Sequence, residues 1–142
     1  MPKLGMQPKR RAAIVKATID EIGAAGNLDV TVNDIARRAG MSSALAHHYF
    51  GAKSQIFLAA MRHTLAVYAG DVRVALRGAT GHRARIEAVI TAGFNAYSFQ
   101  PDVIAAWLNF YVLAQTDCDA HRLLQIYQRR LHSNLLHDLR PL

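Results

Sequence analysis

Apolar residues return every three or four positions along nearly the whole chain, and nowhere do they alternate with polar ones over a strand's length. That period predicts an all-α protein. A first stripe, Ala12, Val15, Ile19 and Ile22, falls in a helix expected over residues 9–25 and stopped by Gly26-Asn27, after a loose arm over residues 1–8. A short helix over 32–39 would bury Val32, Ile35, Ala36 and Ala39. Another over 43–49 would turn Leu45 and Ala46 inward, with Phe50 closing a small core. A longer helix opens at Lys53, carries Ile56, Phe57, Ala60, Met61, Leu65 and Tyr68 on one face, and reaches about residue 77 before Gly78-Ala79-Thr80-Gly81 breaks it. Three more are expected: residues 82–99 with Val89, Ile90, Phe94 and Tyr97; 102–114 with Trp107, Phe110 and Tyr111; and 120–139 with Leu124, Tyr127, Leu131 and Leu135.

The second and third helices carry explicit start signals. Thr31 followed by Asp34 is a short-acid form of the capping box, and Ser42 is placed to cap the third helix through its side-chain oxygen. Gly40 between them tolerates a left-handed turn. Two short capped helices joined by such a turn read as a helix-turn-helix over residues 31–50, the second helix being the one that enters a DNA major groove.

Charge agrees with that reading. The net charge is +7 over 142 residues and the pI about 10.1, which favours nucleic acid as partner over a membrane surface. Residues 1–62 carry nine Lys/Arg against four Asp/Glu, whereas residues 63–142 carry eight against six, so the positive excess sits with the helix-turn-helix. The single cysteine, Cys118, allows no intrachain disulfide and fits a reducing cytoplasm. No apolar run is long enough to span a membrane, and the N-terminus lacks the apolar core of a signal peptide.

Candidate contacts follow from side-chain chemistry. Ser43, His47, His48 and Tyr49 can hydrogen-bond from a groove-facing helix, and Ala44 is small where that helix must approach closely. Lys53 and Thr31, each at a helix start, can join backbone N–H groups in holding phosphate. Lys9, Arg10 and Arg11 at the first helix oppose its dipole, a weak signal for a phosphate nearby. His47 and His48 are adjacent and do not share a helix face, so metal binding by the pair is not expected. The aromatics between Phe94 and Tyr127 are core at helical spacing or a cage for a cation. In the second case Tyr97, Trp107 and Tyr111 are its members, each contributing ~0.5–2 kcal/mol, with Asp102, Asp117 or Asp119 as counter-charge or merely as caps. A phosphate loop, a nucleophilic triad and metal-ligand spacing are all missing from the sequence, so neither an enzyme nor a cofactor is expected.

From Thr31 to Leu58, the ordered set Ile35-Ala36, Ala39-Gly40, Ser42, Tyr49-Phe50, Lys53 and Phe57-Leu58 resembles the TetR family of one-component repressors. Met1 to Met6, Arg10-Arg11, Arg37-Arg38, His48, Ala106-Trp107-Leu108, Arg129-Arg130-Leu131 and Ser133-Asn134-Leu135 resemble those members that repress genes converting choline into glycine betaine. The resemblance implies a DNA-binding head over residues 8–68 and a helical regulatory domain over 69–142. It also implies a palindromic operator gripped by a homodimer and released when choline binds the body. The family's pattern adds two further helices that build the dimer interface. The regulatory domain is therefore expected to be C-terminally short, and dimerisation is expected of the full-length form. The competing expectation is a helical interaction or decoy subunit that pairs with a full-length relative without binding DNA itself.

Overall fold

The computed structural model describes residues 5–95 and 97–142, and all its regular structure is helical. Seven helices follow one another: α1 (Met6–Ala25), α2 (Val32–Arg38), α3 (Ser43–Phe50), α4 (Lys53–Arg77), α5 (His82–Ala92), α6 (Pro101–Thr116) and α7 (Cys118–Leu139). Helices α1 to α3 and the start of α4 form a head. The rest of α4 with α5 to α7 forms a body, and α1 packs on α6, so the two parts share one core.

That core explains where the α1 stripe departs from expectation. Ile14, Ala17, Thr18, Ile19 and Ile22 are buried, while Ala12 is exposed and Val15 only partly covered. A helix wedged between α2, α4 and α6 needs more than one apolar face. The Thr18 hydroxyl, buried among them, donates to the Ile14 carbonyl at 2.7 Å and so is not orphaned. α1 also begins earlier than expected: Met6 to Pro8 form its first turn, where proline's missing N–H costs nothing. Residues 1–4 of the expected arm lie outside the described residues.

The small head core holds Ile35, Ala36, Ala46, Ile56 and Met61 at full burial, with Val32, Ala39 and Phe50 packed against it. Both expected caps form. The Thr31 hydroxyl accepts the Asp34 N–H at 3.0 Å while the Asp34 carboxylate takes the Thr31 N–H at 3.1 Å; Ser42 accepts the Leu45 N–H at 3.2 Å.

The clearest correction concerns α5, which stops at Ala92 instead of continuing to residue 99. Asn95 ends it. Its Nδ2 group donates to the Ala92 carbonyl at 3.1 Å and to Asp71 on α4 at 2.6 Å, and its Oδ1 accepts the Ser98 N–H at 2.8 Å. A side chain that takes over the backbone's partners closes a helix. Ile90 and Phe94, expected on a buried face, are 53% and 68% exposed. Ala96 lies outside the described residues.

Two long-range ties hold the body. The Asp138 carboxylate, on α7 and 2% exposed, accepts from His82 Nδ1 at 3.0 Å and from Arg85 Nε at 3.1 Å, both on α5. At the head–body seam, α1 and α6 touch backbone to backbone: a Cβ on Gly23 would lie 2.7 Å from the Asp102 Cα.

Candidate nucleic-acid interface and effector cleft

On α3, Ala44, His47 and His48 are exposed and stand at positions i, i+3 and i+4, so they share the outward face of the helix. Ala46 is fully buried on the opposite face. The His47 ring is anchored: Nδ1 lies 2.7 Å from the Gly51 carbonyl. A carbonyl only accepts, so Nδ1 is the donor in that bond. Ser43 donates to Asn33 Oδ1 at 3.0 Å, linking α3 to α2. Its proton is thus committed, and Asn33, which the sequence reading passed over, joins the same surface through its amide.

The remaining expected DNA-contact residues divide. Ser42 serves as a cap. Thr31 commits both its hydroxyl, at 2.6 Å, and its N–H to the Asp34 carboxylate, so an anion already occupies the start of α2. Those bonds hold the Asp34 carboxyl below its ordinary value, the Thr31 hydroxyl contributing most. The phosphate role expected of Thr31 would require Asp34 to give way. Lys53 is different. α4 starts without a side-chain cap and without an acidic residue in its first turn, so no carboxylate occupies that helix end, and Lys53 stands there with Nζ 5.3 Å from the Phe57 ring centroid.

Arg10 and Arg11 prove to be bracing residues. Arg11 donates to the Tyr49 carbonyl at 2.6 Å and lies 4.4 Å over the Phe50 ring, while Arg10 reaches the Tyr49 hydroxyl at 3.4 Å. A cation at the carboxyl end of α3 suits the helix dipole and fixes α3 against α1. Tyr49 is half-buried in this clamp, edge-on to His48. The signal in the sequence was the basic run itself, but its partner lies 38 residues away.

In the body, a cleft of about 400 Å³ opens among α4, α6, α7 and the segment after α5. Six rings line it: Tyr68, Phe94, Phe99, Trp107, Tyr111 and Tyr127. Trp107 and Tyr111 stand 5.9 Å apart, and Phe94 stacks on Phe99 at 5.6 Å. Of the expected cage, Trp107 and Tyr111 line the cleft and Tyr97 does not, although Phe94, Ser98 and Phe99 of the same segment do. Asp102, Asp117 and Asp119 do not line the cleft either; Asp117 caps α7 through the Ala120 N–H at 2.8 Å. Among the described residues no group of three metal-binding side chains forms, and no helix is long and apolar enough to cross a membrane.

A capped helix-turn-helix joined through one long helix to a cleft-bearing helical body defines the class of two-part, DNA-binding transcriptional regulators. The family model of bacterial regulatory proteins of the tetR family matches residues 14–60, and that of the C-terminal part of BetI-type transcriptional repressors matches residues 82–142. The HTH-type transcriptional regulator BetI of Brucella abortus (strain 2308) is 52% identical over 142 residues, spanning 100% of this chain and 72% of the relative. That of Agrobacterium fabrum (strain C58 / ATCC 33970) is 49% identical, spanning 100% and 69%. The chain therefore belongs to the tetR family, in its BetI-type branch, whose named members are transcriptional regulators and not enzymes. Two solved structures share the fold, each with a TM-score of 0.83. One is a transcriptional regulator from Pseudomonas aeruginosa PAO1, 24% identical, matched over 94% of this chain and 64% of that one. The other is a regulator from Saccharomonospora viridis in complex with choline, 20% identical, matched over 94% and 69%.

Proposed function

We propose that the chain acts as a repressor of genes for glycine betaine synthesis, holding a palindromic operator as a homodimer and releasing it when choline enters the aromatic cleft. The observation that carries the DNA reading is the outward face of α3. Ala44, His47 and His48 are left free by the packing, while Arg10 and Arg11 brace one end of α3 and Lys53 stands just beyond it. In this reading His47, His48 and the Ser43–Asn33 pair meet base edges, and Tyr49, Lys53 and the leading N–H groups of α4 meet phosphate. Thr31 and Ser42 act as caps that hold the two helices in register. Two heads must lie about 34–36 Å apart to read successive turns of one groove.

Choline is supported by the six rings of the cleft, each able to face a quaternary ammonium, and by the choline complex of the S. viridis relative. A signal has a short path. α6 contributes Trp107 and Tyr111 to the cleft, and its first turn touches α1 at Gly23. α1 in turn grips α3 through Arg11.

Fluorescence anisotropy on palindromic duplexes tests the reading. Affinity should fall steeply with salt, because phosphate contacts release counterions, and choline should lower it further. Binding that is absent at low ionic strength would overturn the repressor reading. A second reading, a helical subunit that pairs with a longer relative, is favoured by Ile104, Leu108 and Val112, which form an apolar stripe on α6 at 40%, 63% and 59% exposure. Sedimentation of the chain alone and mixed with such a relative separates the two.

A further inference from the structure

The aromatic cleft has no acid of its own: among the described residues, no carboxylate lines it. One stands beside its wall. Asp71 lies three positions after Tyr68 on α4, so the two share a face of that helix. Tyr68 lines the cleft and meets the segment after α5, its ring 3.7 Å from where a Cβ on Gly93 would lie. From that same segment Asn95, next to the cleft-lining Phe94, donates to Asp71 Oδ2 at 2.6 Å. Asp71 is half-buried, and among the described residues no ion pair includes it. The Asn95 amide is neutral, so it holds the carboxylate in place without cancelling its charge.

The nearby arginines leave that charge standing. Arg73, two residues further along α4, points about 200° away around the helix, at about 100° per residue, and lines the neighbouring groove between α4 and α7 with Arg130. Both arginines are exposed, where water and salt screen them more than they screen a half-buried carboxylate. We infer that Asp71 is the counter-charge of the effector cleft, a carboxylate fixed behind the ring wall by Asn95 that makes the site prefer a quaternary ammonium to an uncharged group of the same shape. Rings attract such a cation through their quadrupole. A full negative charge adds a Coulomb attraction that needs no direct contact. This rests on the choline reading above and names the residue that sets its charge selectivity.

Trp107 is the only tryptophan and lines the aromatic cleft, so its emission reports occupancy. The full chain is titrated with choline and with its uncharged carbon analogue, the alcohol in which a tert-butyl group replaces the trimethylammonium. Asp71→Asn removes the charge but keeps an oxygen that accepts from Asn95. In that variant the affinity for choline should fall about three- to tenfold while the affinity for the alcohol holds, so that the remaining preference is what the rings supply. Asn95→Ala loosens the wall and keeps the charge, so both ligands should weaken while their ratio stays. Circular dichroism checks each variant for an unchanged fold. A ratio that is the same in Asp71→Asn as in the unmodified chain overturns the counter-charge and leaves the choline reading intact, and if both ligands weaken equally there, Asp71 is only a clasp for the wall. If choline itself leaves the emission unchanged, the effector reading falls and this inference with it.

Discussion

The head and the body solve opposite problems with the same kind of helix. The head is closed: its short helices are capped, and Ile35, Ala36 and Ala46 are fully buried. The body is open: every strongly exposed large hydrophobic residue among those described lies in it, except Met6. Its second core cluster holds only Val72, Val89 and Ala92 as buried members. A head that must present fixed side chains to DNA is served by rigidity. A body that must admit a ligand is served by unfilled apolar space, lined here by rings that a tighter core would have stacked together. The seam between them is part of neither pattern: Phe110 and Ala106 on α6 are fully buried in the same cluster as Ile14 and Ile22 of α1.

The largest expected effect tests that shared core. Phe110→Ala should cost about 3–5 kcal/mol, the transfer loss plus an unfilled cavity, and head and body should melt together in one transition. Val89→Ala, in the small satellite cluster, should cost about 2 kcal/mol, from two lost carbons. Thermal and urea unfolding followed by circular dichroism compare them. If Phe110→Ala splits the transition and spares the head, the two parts do not share a core.

The next contrast uses two helical glycines. A methyl group on Gly23 would meet the Asp102 backbone at 2.7–2.8 Å, too close for a rotamer change to relieve. Gly23→Ala should therefore push α6 off α1 and destabilise by about 1–3 kcal/mol. Gly70, within α4, has nothing within 4 Å of an added Cβ. Gly70→Ala should stabilise by up to about 1 kcal/mol, from helix propensity alone. Equal signs for the two would refute the close approach at the seam. If the signal from cleft to head passes there, Gly23→Ala should also weaken the effect of choline on DNA affinity, and Gly70→Ala should not.

What was legible in the sequence follows the same division. The head announced itself through local chemistry: the Thr31–Asp34 box, the Ser42 cap, and the turn at Gly40, whose φ is 71°. Such signals need only neighbours three or four residues away. The body was legible as helices but not as a site. Asn95 ends α5 by reaching Asp71, 24 positions earlier, which spacing alone cannot reveal. The apolar stripe continued through Phe94 and Tyr97, and it suggested a helix where the side chain of Asn95 makes a turn. Tyr97 belongs to the aromatic run from which the cage is expected, whereas Tyr68, which lines the cleft from α4, lies outside that run. The clamp of Arg11 on Tyr49 and the burial of Asp138 are likewise long-range facts.

Removing single caps should have smaller, strictly local effects. Thr31→Ala and Ser42→Ala should each cost about 1 kcal/mol, and hydrogen exchange should show the loss in α2 and α3 while α5 to α7 keep their protection. Exchange that rises equally in the body would mean that the seam, and not the caps, governs head stability.

The acid response of the unmodified chain, absent at neutral pH, sharpens the comparison further. Asp34 in the head and Asp138 in the body both have carboxyls held below the ordinary 3.8, chiefly by the Thr31 hydroxyl and by His82 respectively, with Arg85 adding to the second. A carboxyl with a depressed folded value contributes stability that is complete above the unfolded value and is lost as pH falls through the folded one. Both regions should therefore hold from neutral pH to about pH 4 and weaken below it. They should separate by substitution. Thr31→Ala removes the main cause of the Asp34 shift, so the head should lose part of its acid response, while the α5–α7 tie should titrate as before. Asp138→Asn removes the buried charge outright, leaves His82 and Arg85 without their anion, and should loosen α5 from α7 at every pH. Amide exchange of α2 and α5 measured across that range reads the two independently. An α5 profile that is the same with and without the Asp138 carboxylate would show that the body is held by its apolar contacts alone, and that the tie between His82, Arg85 and Asp138 is incidental to it.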